Sequence, residues 1–192
     1  ALPNTRVIDN KAQLDNVLAL IKDGDTVRLY LRAGNYGNIS LDKNAAVSIV
    51  GSYNLSGEID EIAVVFDSIR VTKGALLLDI VKMYAKSDSS LVRVGKDVAS
   101  LTVNRSSFID LPFLGGSQQT TVNSRAISTD WGFKGTVYMD QTSILGFAAG
   151  LYIEYGSVEI SNSRFKYVVN AVHVLSGNVN VSDSTFENCR KV

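Results

Sequence analysis

Trp131, Tyr138, Tyr152, Tyr155 and His173 fall where side chains are expected to face outward or to border an interruption in the sequence's periodicity, with Arg125 close by. Aromatic faces pack on the apolar C–H side of sugar rings while neighbouring polar groups orient the hydroxyls, so this set points to carbohydrate binding. The alternative is that Trp131 packs under its own loop and the tyrosines cover strands. His173 is the one histidine of the chain. It lacks the Ser/Asp arrangement that would make it a general base.

Metal chemistry is poorly provided for. Calcium needs several converging oxygens. At one recurring turn position stand Asn104, Asp140, Ser161 and Ser182, which offer a single carboxylate. Glu58, Asp60 and Glu61 in "GEIDE" read as a solvated acidic turn, with chelation the weaker alternative; no metal ligand or cofactor is assigned, and calcium stays as the weakly supported exception. Asp110 and Asp130 flank the interruption, without a matching column that would make them a hydrolase pair. Cys189 stands alone, which excludes an internal disulfide and a zinc cluster.

These residues are positioned by a repeat. "GSVEISNSRF" begins at Gly156 and "GNVNVSDSTF" at Gly177, 21 residues on; "GTVYMDQTSI" begins at Gly135, "ASLTVNRSSF" at Ala99 and the looser "GALLLDIVKM" at Gly74. Each holds two apolar residues two apart: Leu101/Val103, Val137/Met139, Val158/Ile160 and Val179/Val181. Period two means strand. A small hydroxyl residue follows (Ser106, Thr142, Ser163, Ser184), then a large apolar one (Phe108, Ile144, Phe165, Phe186). Second alternations, "SLVRV", "GLYIEY" and "NAVHVLS", precede the next unit, so Tyr152 and His173 should stack.

Two or three short strands in each 21 to 25 residues, with no helix between them, cannot build βαβ units. They suit an all-β solenoid whose parallel strands lie on those of the previous coil. The hydroxyl column should hydrogen-bond backbone groups freed at the bends.

Two segments differ. "DNKAQLDNVLALIKDGDTVRL" sets Leu14, Val17, Leu18 and Ile21 on one helical face, predicting an amphipathic helix over about 10–22 that covers the raw edge of the first coil. Asn10 and Gln13 suggest a capping box, and Gly24 a helix stop. Regular coils are expected over about 74–192, interrupted by an insertion over about 111–130 that includes "LPFLGGSQQTTVNS". Such insertions often carry binding function. The whole reads as one domain over 1–192, either complete or a fragment of a longer protein whose uncapped end pairs end to end with another chain or continues into a further domain.

Composition narrows the classes. Nineteen basic residues balance nineteen acidic ones, so no general pull on nucleic acid or anionic membrane is expected. Hydrophobic residues make up 45% and mean hydropathy is +0.09, against disorder. No apolar run reaches the length of a membrane span. The chain opens at Ala1, as a processed exported protein would, and a secreted or cell-surface location is the expectation.

The pattern resembles the right-handed parallel β-helix of the pectin-lyase-like superfamily. An amphipathic helix followed by "DGDTVRLYLRAGNYGNISL" is similar to that group's opening phrase, with Gly24, Asp25, Thr26, Val27, Leu29, Gly34 and Tyr36 matching. The following "NLSGEIDEIAVVFDSIRV" looks like short β-helical surface domains of gut Bacteroidetes that accompany glycan use. The resemblance implies two activities. Lyases of the group take a proton beside a uronate carboxylate with Lys or Arg as base, often with calcium; hydrolases use paired Asp. Arg93, Arg105, Arg125, Lys134, Arg164 and Lys166 are the cations to consider for a lyase, and none sits in a recognisable catalytic motif. The preferred expectation is a surface or secreted carbohydrate-binding module tied to polysaccharide use, not catalytic on its own. A polysaccharide lyase, or part of one, and an adhesive stalk are the alternatives.

Overall fold

The computed structural model describes residues 4–54, 61–86, 89–110 and 123–192. Among these residues it is all-β apart from one helix, and the strands form a 12-stranded sheet, a seven-stranded sheet and an antiparallel pair, Tyr53–Asn54 with Glu61–Ile62. Every pairing in the two large sheets is parallel. Long all-parallel sheets of this kind are consistent with a parallel β-helix.

Like residues stand on like because each strand pairs with its counterpart one repeat away. Val27, Val47, Leu76, Leu101, Val137, Val158 and Val179 are successive register partners. Leu29, Ile49, Leu78, Val103, Met139, Ile160 and Val181 form a second row two residues on. The first six members of each row are no more than 5% exposed. Each buried aliphatic side chain is worth about 1.5–3 kcal/mol, which makes these rows the main stabilising element. Val179 and Val181 are 43% and 44% exposed, because no further described strand lies over Val179–Ser182.

The seven-stranded sheet carries the aromatic column. Phe66, Met83, Phe108, Ile144, Phe165 and Phe186 are register partners, and the rings of Phe165 and Phe186 stack at 5.0 Å. Between this sheet and the aliphatic rows the backbone turns sharply. Arg105, Gln141, Asn162 and Asp183 take φ values of 45°, 48°, 47° and 47° there. The hydroxyl residue after each one ties the bend. Thr142 Oγ1 accepts from Ser106 N at 3.3 Å, Ser163 Oγ from Thr142 N at 3.2 Å, and Ser184 Oγ from Ser163 N at 3.1 Å. Each hydroxyl also donates to the carbonyl two residues earlier, at 2.7 to 2.9 Å. Amides that the bend frees from the ladder are thereby satisfied out of contact with water.

At the opposite bend, Gly156 and Gly177 have φ of 104° and 150°, and a Cβ on Gly177 would lie 1.6 Å from the Gly156 carbonyl oxygen. Backbone stacks on backbone at this point, and only glycine permits it.

The helix spans Lys11–Leu20 and buries Leu14 and Val17. Asn10 caps it by accepting from Gln13 N at 3.0 Å. The expected reciprocal bond is displaced by one residue: Gln13 Oε1 accepts from Asp9 N at 2.8 Å instead of from the Asn10 amide. Gly24 is not the helix stop. Extended Ile21 ends the helix, and Gly24, with φ 87°, turns the chain so that its N–H donates to Asn44 O at 2.8 Å.

Candidate functional site

The part of the 12-stranded sheet that includes Arg125–Thr129, Ala149–Tyr155 and Asn170–Ser176 has an outer face on which several predicted residues meet. Leu151 and Ile153 point inward and pair with Val172 and Val174, so alternation turns Tyr152 and His173 outward as register partners. Their rings lie 4.7 Å apart and 4° from parallel. On the other side of Tyr152, the Arg125 guanidinium carbon sits 3.8 Å from the ring centroid. Arg125, Tyr152 and His173 thus form a three-layer stack. A cation over an aromatic face contributes about 0.5–2 kcal/mol, more as water is excluded.

Beside the stack Trp131, 70% exposed, meets Tyr155 edge to face at 4.7 Å. Trp131 therefore does not pack beneath a loop among the described residues; it stands at the rim of a depression of about 540 Å³. Arg93, Arg125, Ser128, Thr129, Asp130 and Glu154 line that depression. Arg93 Nε donates to Asp130 Oδ1 at 2.7 Å, and Ser128 Oγ donates to Ser90 Oγ at 2.6 Å. Along the same face, Arg70, Arg93, Ser128, Tyr152 and His173 follow one another in register. The surface therefore offers cations and flat rings in one row, with Ser128 buried between them, which suits an extended polar polymer with apolar ring faces.

Arg70, Ser128 and Glu154 were not legible as site residues, and Arg93, a candidate cation from the sequence, was not legible as a neighbour of this stack. Arg70 and Arg93 belong to repeats of irregular length, and only a register assignment would have aligned them with Tyr152.

Tyr138 does not join this group. It lies in Thr136–Asp140, across the glycine bend on the adjoining face, where its register partners are Thr102 and Glu159. Alternation tells outward from inward; it does not tell which face of a bent strand path is meant.

Three of the remaining cations have structural partners. Arg105 makes a two-pronged pair with Asp79, and that pairing raises the Arg105 pKa. Arg164 and Lys166 both hold Glu187. Lys134 is exposed. Of the acidic candidates, Asp110 is fully buried and accepts from Ser124 Oγ at 2.5 Å, Asp130 is taken by Arg93, and Glu61 pairs with Lys82 at 2.8 Å. Glu58, Asp60 and positions 111–122 of the expected insertion lie outside the described residues. Its last part, Arg125–Thr129, is a regular strand in register with Ser90–Val94 rather than an irregular loop.

Asn104, Asp140, Ser161 and Ser182 do stack, preceded by Asp79, which the sequence reading missed. Asp140 is occupied by neighbours. It accepts from Asn162 Nδ2 at 2.9 Å, Ser161 Oγ at 2.7 Å and Gln141 Nε2 at 3.2 Å. These bonds, that from Asn162 first, hold its pKa below the ordinary carboxylate value. A carboxyl depressed in the folded state adds stability above its unfolded pKa, and the contribution is lost as pH falls through the folded value. Urea stability measured at about pH 7 and about pH 3 should therefore differ less in Asp140→Asn than in the parent. Equal differences would mean that the three donors do not favour the charged form.

No family model matches the chain, and no curated protein matches it. Among solved structures, a PL6 family alginate lyase, AlyGC, superposes with a TM-score of 0.68 at 15% identity, over 99% of this chain and 30% of that one. This chain thus spans less than a third of the lyase, and the likeness is one of fold.

Proposed function

We propose that the chain forms one right-handed parallel β-helix, with the helix Lys11–Leu20 covering its first coil, and that it serves as a carbohydrate-binding module of a secreted or cell-surface protein used in polysaccharide metabolism. The observation that carries this reading is the Arg125–Tyr152–His173 stack beside the Trp131–Tyr155 pair, with Arg125 and Trp131 both lining the depression. Rigid aromatic groups lose little entropy on binding and fit the apolar faces of pyranose rings, while Asp130 and Glu154 meet the hydroxyls.

The likeness to an alginate lyase favours a second reading, β-elimination at a uronate. Arg125 is the cation that this chemistry would use first, because it lies in the depression and belongs to no ion pair among the described residues. Affinity gel electrophoresis against alginate, polygalacturonate, xyloglucan and galactomannan separates the two readings, with ultraviolet absorbance followed on the two uronate polymers. A binding module is retarded by at least one polymer, and Trp131→Ala weakens that retardation by roughly tenfold. Absorbance growth abolished by Arg125→Ala moves the assignment to the lyase. Neither retardation nor absorbance growth discards both.

A further inference from the structure

A second depression, also of about 540 Å³, lies on the adjoining face of the same repeats, across the bend at Gly156. Its floor is set by register. Tyr138, Glu159 and Asn180 follow one another on three neighbouring strands, pointing outward. At the strand ends Asp140, Ser161 and Ser182 form a parallel row. Tyr138 is 39% exposed, and Glu159 and Asn180 are exposed as well.

We infer that this face is a saccharide site separate from the first, and that it takes a neutral glycan. Three features carry the assignment. Tyr138 offers part of an aromatic side chain to solvent, beside which Glu159 accepts and Asn180 both donates and accepts, the set that positions a pyranose by its apolar side and its hydroxyls. The three groups advance by one strand spacing each, about 4.8 Å, comparable to the advance of one sugar unit in an extended polymer. The charge is of one sign: Asp140 and Glu159 line the depression, and among the described residues no lysine or arginine does. A polyanion is repelled here, whereas the first face presents Arg93 and Arg125. Asp140 is already filled by three donors and is not available to hold a cation, so the acidic character acts through Glu159 and through the local field.

Both depressions draw on the same strand path: Ala149–Tyr155 supplies Tyr152 to the first face, and Ser157–Ser161 supplies Glu159 to the second. One molecule would then hold two glycan strands at once, and the avidity of a mixed polysaccharide would exceed that of either component. The inference stands on the second face alone and does not depend on the reading of the first.

The test is affinity electrophoresis of the whole chain in gels containing xyloglucan or galactomannan, with alginate as the acidic comparison, for the parent, Tyr138→Ala, Glu159→Gln and Tyr152→Ala. The expected result is retardation by a neutral polymer that weakens at least about tenfold in Tyr138→Ala and severalfold in Glu159→Gln. Tyr138 and Glu159 are surface residues, and equal thermal midpoints verify that the variants fold. Absence of retardation by both neutral polymers overturns the inference. So does retardation that Tyr138→Ala leaves intact, or that only Tyr152→Ala removes; the last result would leave the first site standing. Binding of polylysine in place of the neutral glycans would assign the face to a cationic partner and also overturn it.

Discussion

Phe165→Ala is expected to lower the stability of the fold by about 3–5 kcal/mol, and the thermal midpoint by roughly 10 °C. Phe165 is wholly buried between Ile144 and Phe186 in the aromatic column. One edge of its ring lies against Gly150, where a Cβ would come within 2.9 Å of it. The space left by truncation cannot refill, because its walls are hydrogen-bonded strands on both sides and the neighbouring residues are each fixed by their own register. Phe186→Ala is the internal control: the same column and chemistry, but a half-exposed ring, so less transfer free energy and no closed cavity. Urea unfolding of both variants distinguishes a column that holds the fold from one that merely decorates it. If Phe165→Ala costs less than about 1 kcal/mol, the column is not part of the stabilising core. Unfolding should also be followed by two probes, since neighbouring repeats couple mainly to each other and a weakened one can open without the rest.

What the sequence disclosed follows from which physical constraint repeats. The aliphatic pairs, the Phe/Ile position and the hydroxyl position recur at a fixed interval because each has to meet its own counterpart, and all appear in register in the structure. The stack of Tyr152 on His173 was legible on the same ground. Residues outside the strict period were not. Asp79 heads the polar turn row and pairs with Arg105, yet it lies in a repeat of different length. Arg93 faces outward beside Tyr152's neighbour Ser128, but the strand that carries it runs on through register shifts near Asp97 and Ser100. Tyr138 had the correct outward sense and belonged to another face. Period two conveys inside and outside only; a strand path that bends needs the positions of its bends as well. Those bends use Arg105, Gln141, Asn162 and Asp183 in a left-handed conformation, four different residue types that share no compositional mark. Here the recurring hydroxyl after the bend was the readable sign, rather than the strained residue itself.

Tyr152→Ala is expected to weaken polysaccharide binding at the first face on the order of 30-fold, more than any other single change there. The reason is its central place. Arg125 lies on one side of the ring and His173 on the other, so removing the ring deletes a platform and also releases the guanidinium from its fixed position. A freed arginine regains rotamer freedom that binding must then remove again. His173→Ala leaves the Arg125–Tyr152 contact in place and should cost less, roughly threefold. Arg125→Lys preserves the charge but loses the planar group that lies flat on the ring, and falls between the two. Isothermal titration with whichever polymer retards the parent measures all three, and a double-mutant cycle on Arg125 and Tyr152 isolates their coupling. A shared role requires that the double variant lose less than the product of the single losses. Losses that simply multiply would mean that the two side chains act separately, and a Tyr152→Ala variant that binds within about twofold of the parent would remove the stack from the site altogether. Because Tyr152 lies on the outer face and its inward neighbours Leu151 and Ile153 are untouched, the thermal midpoint should barely move, so that a lost affinity can be ascribed to the surface rather than to the fold.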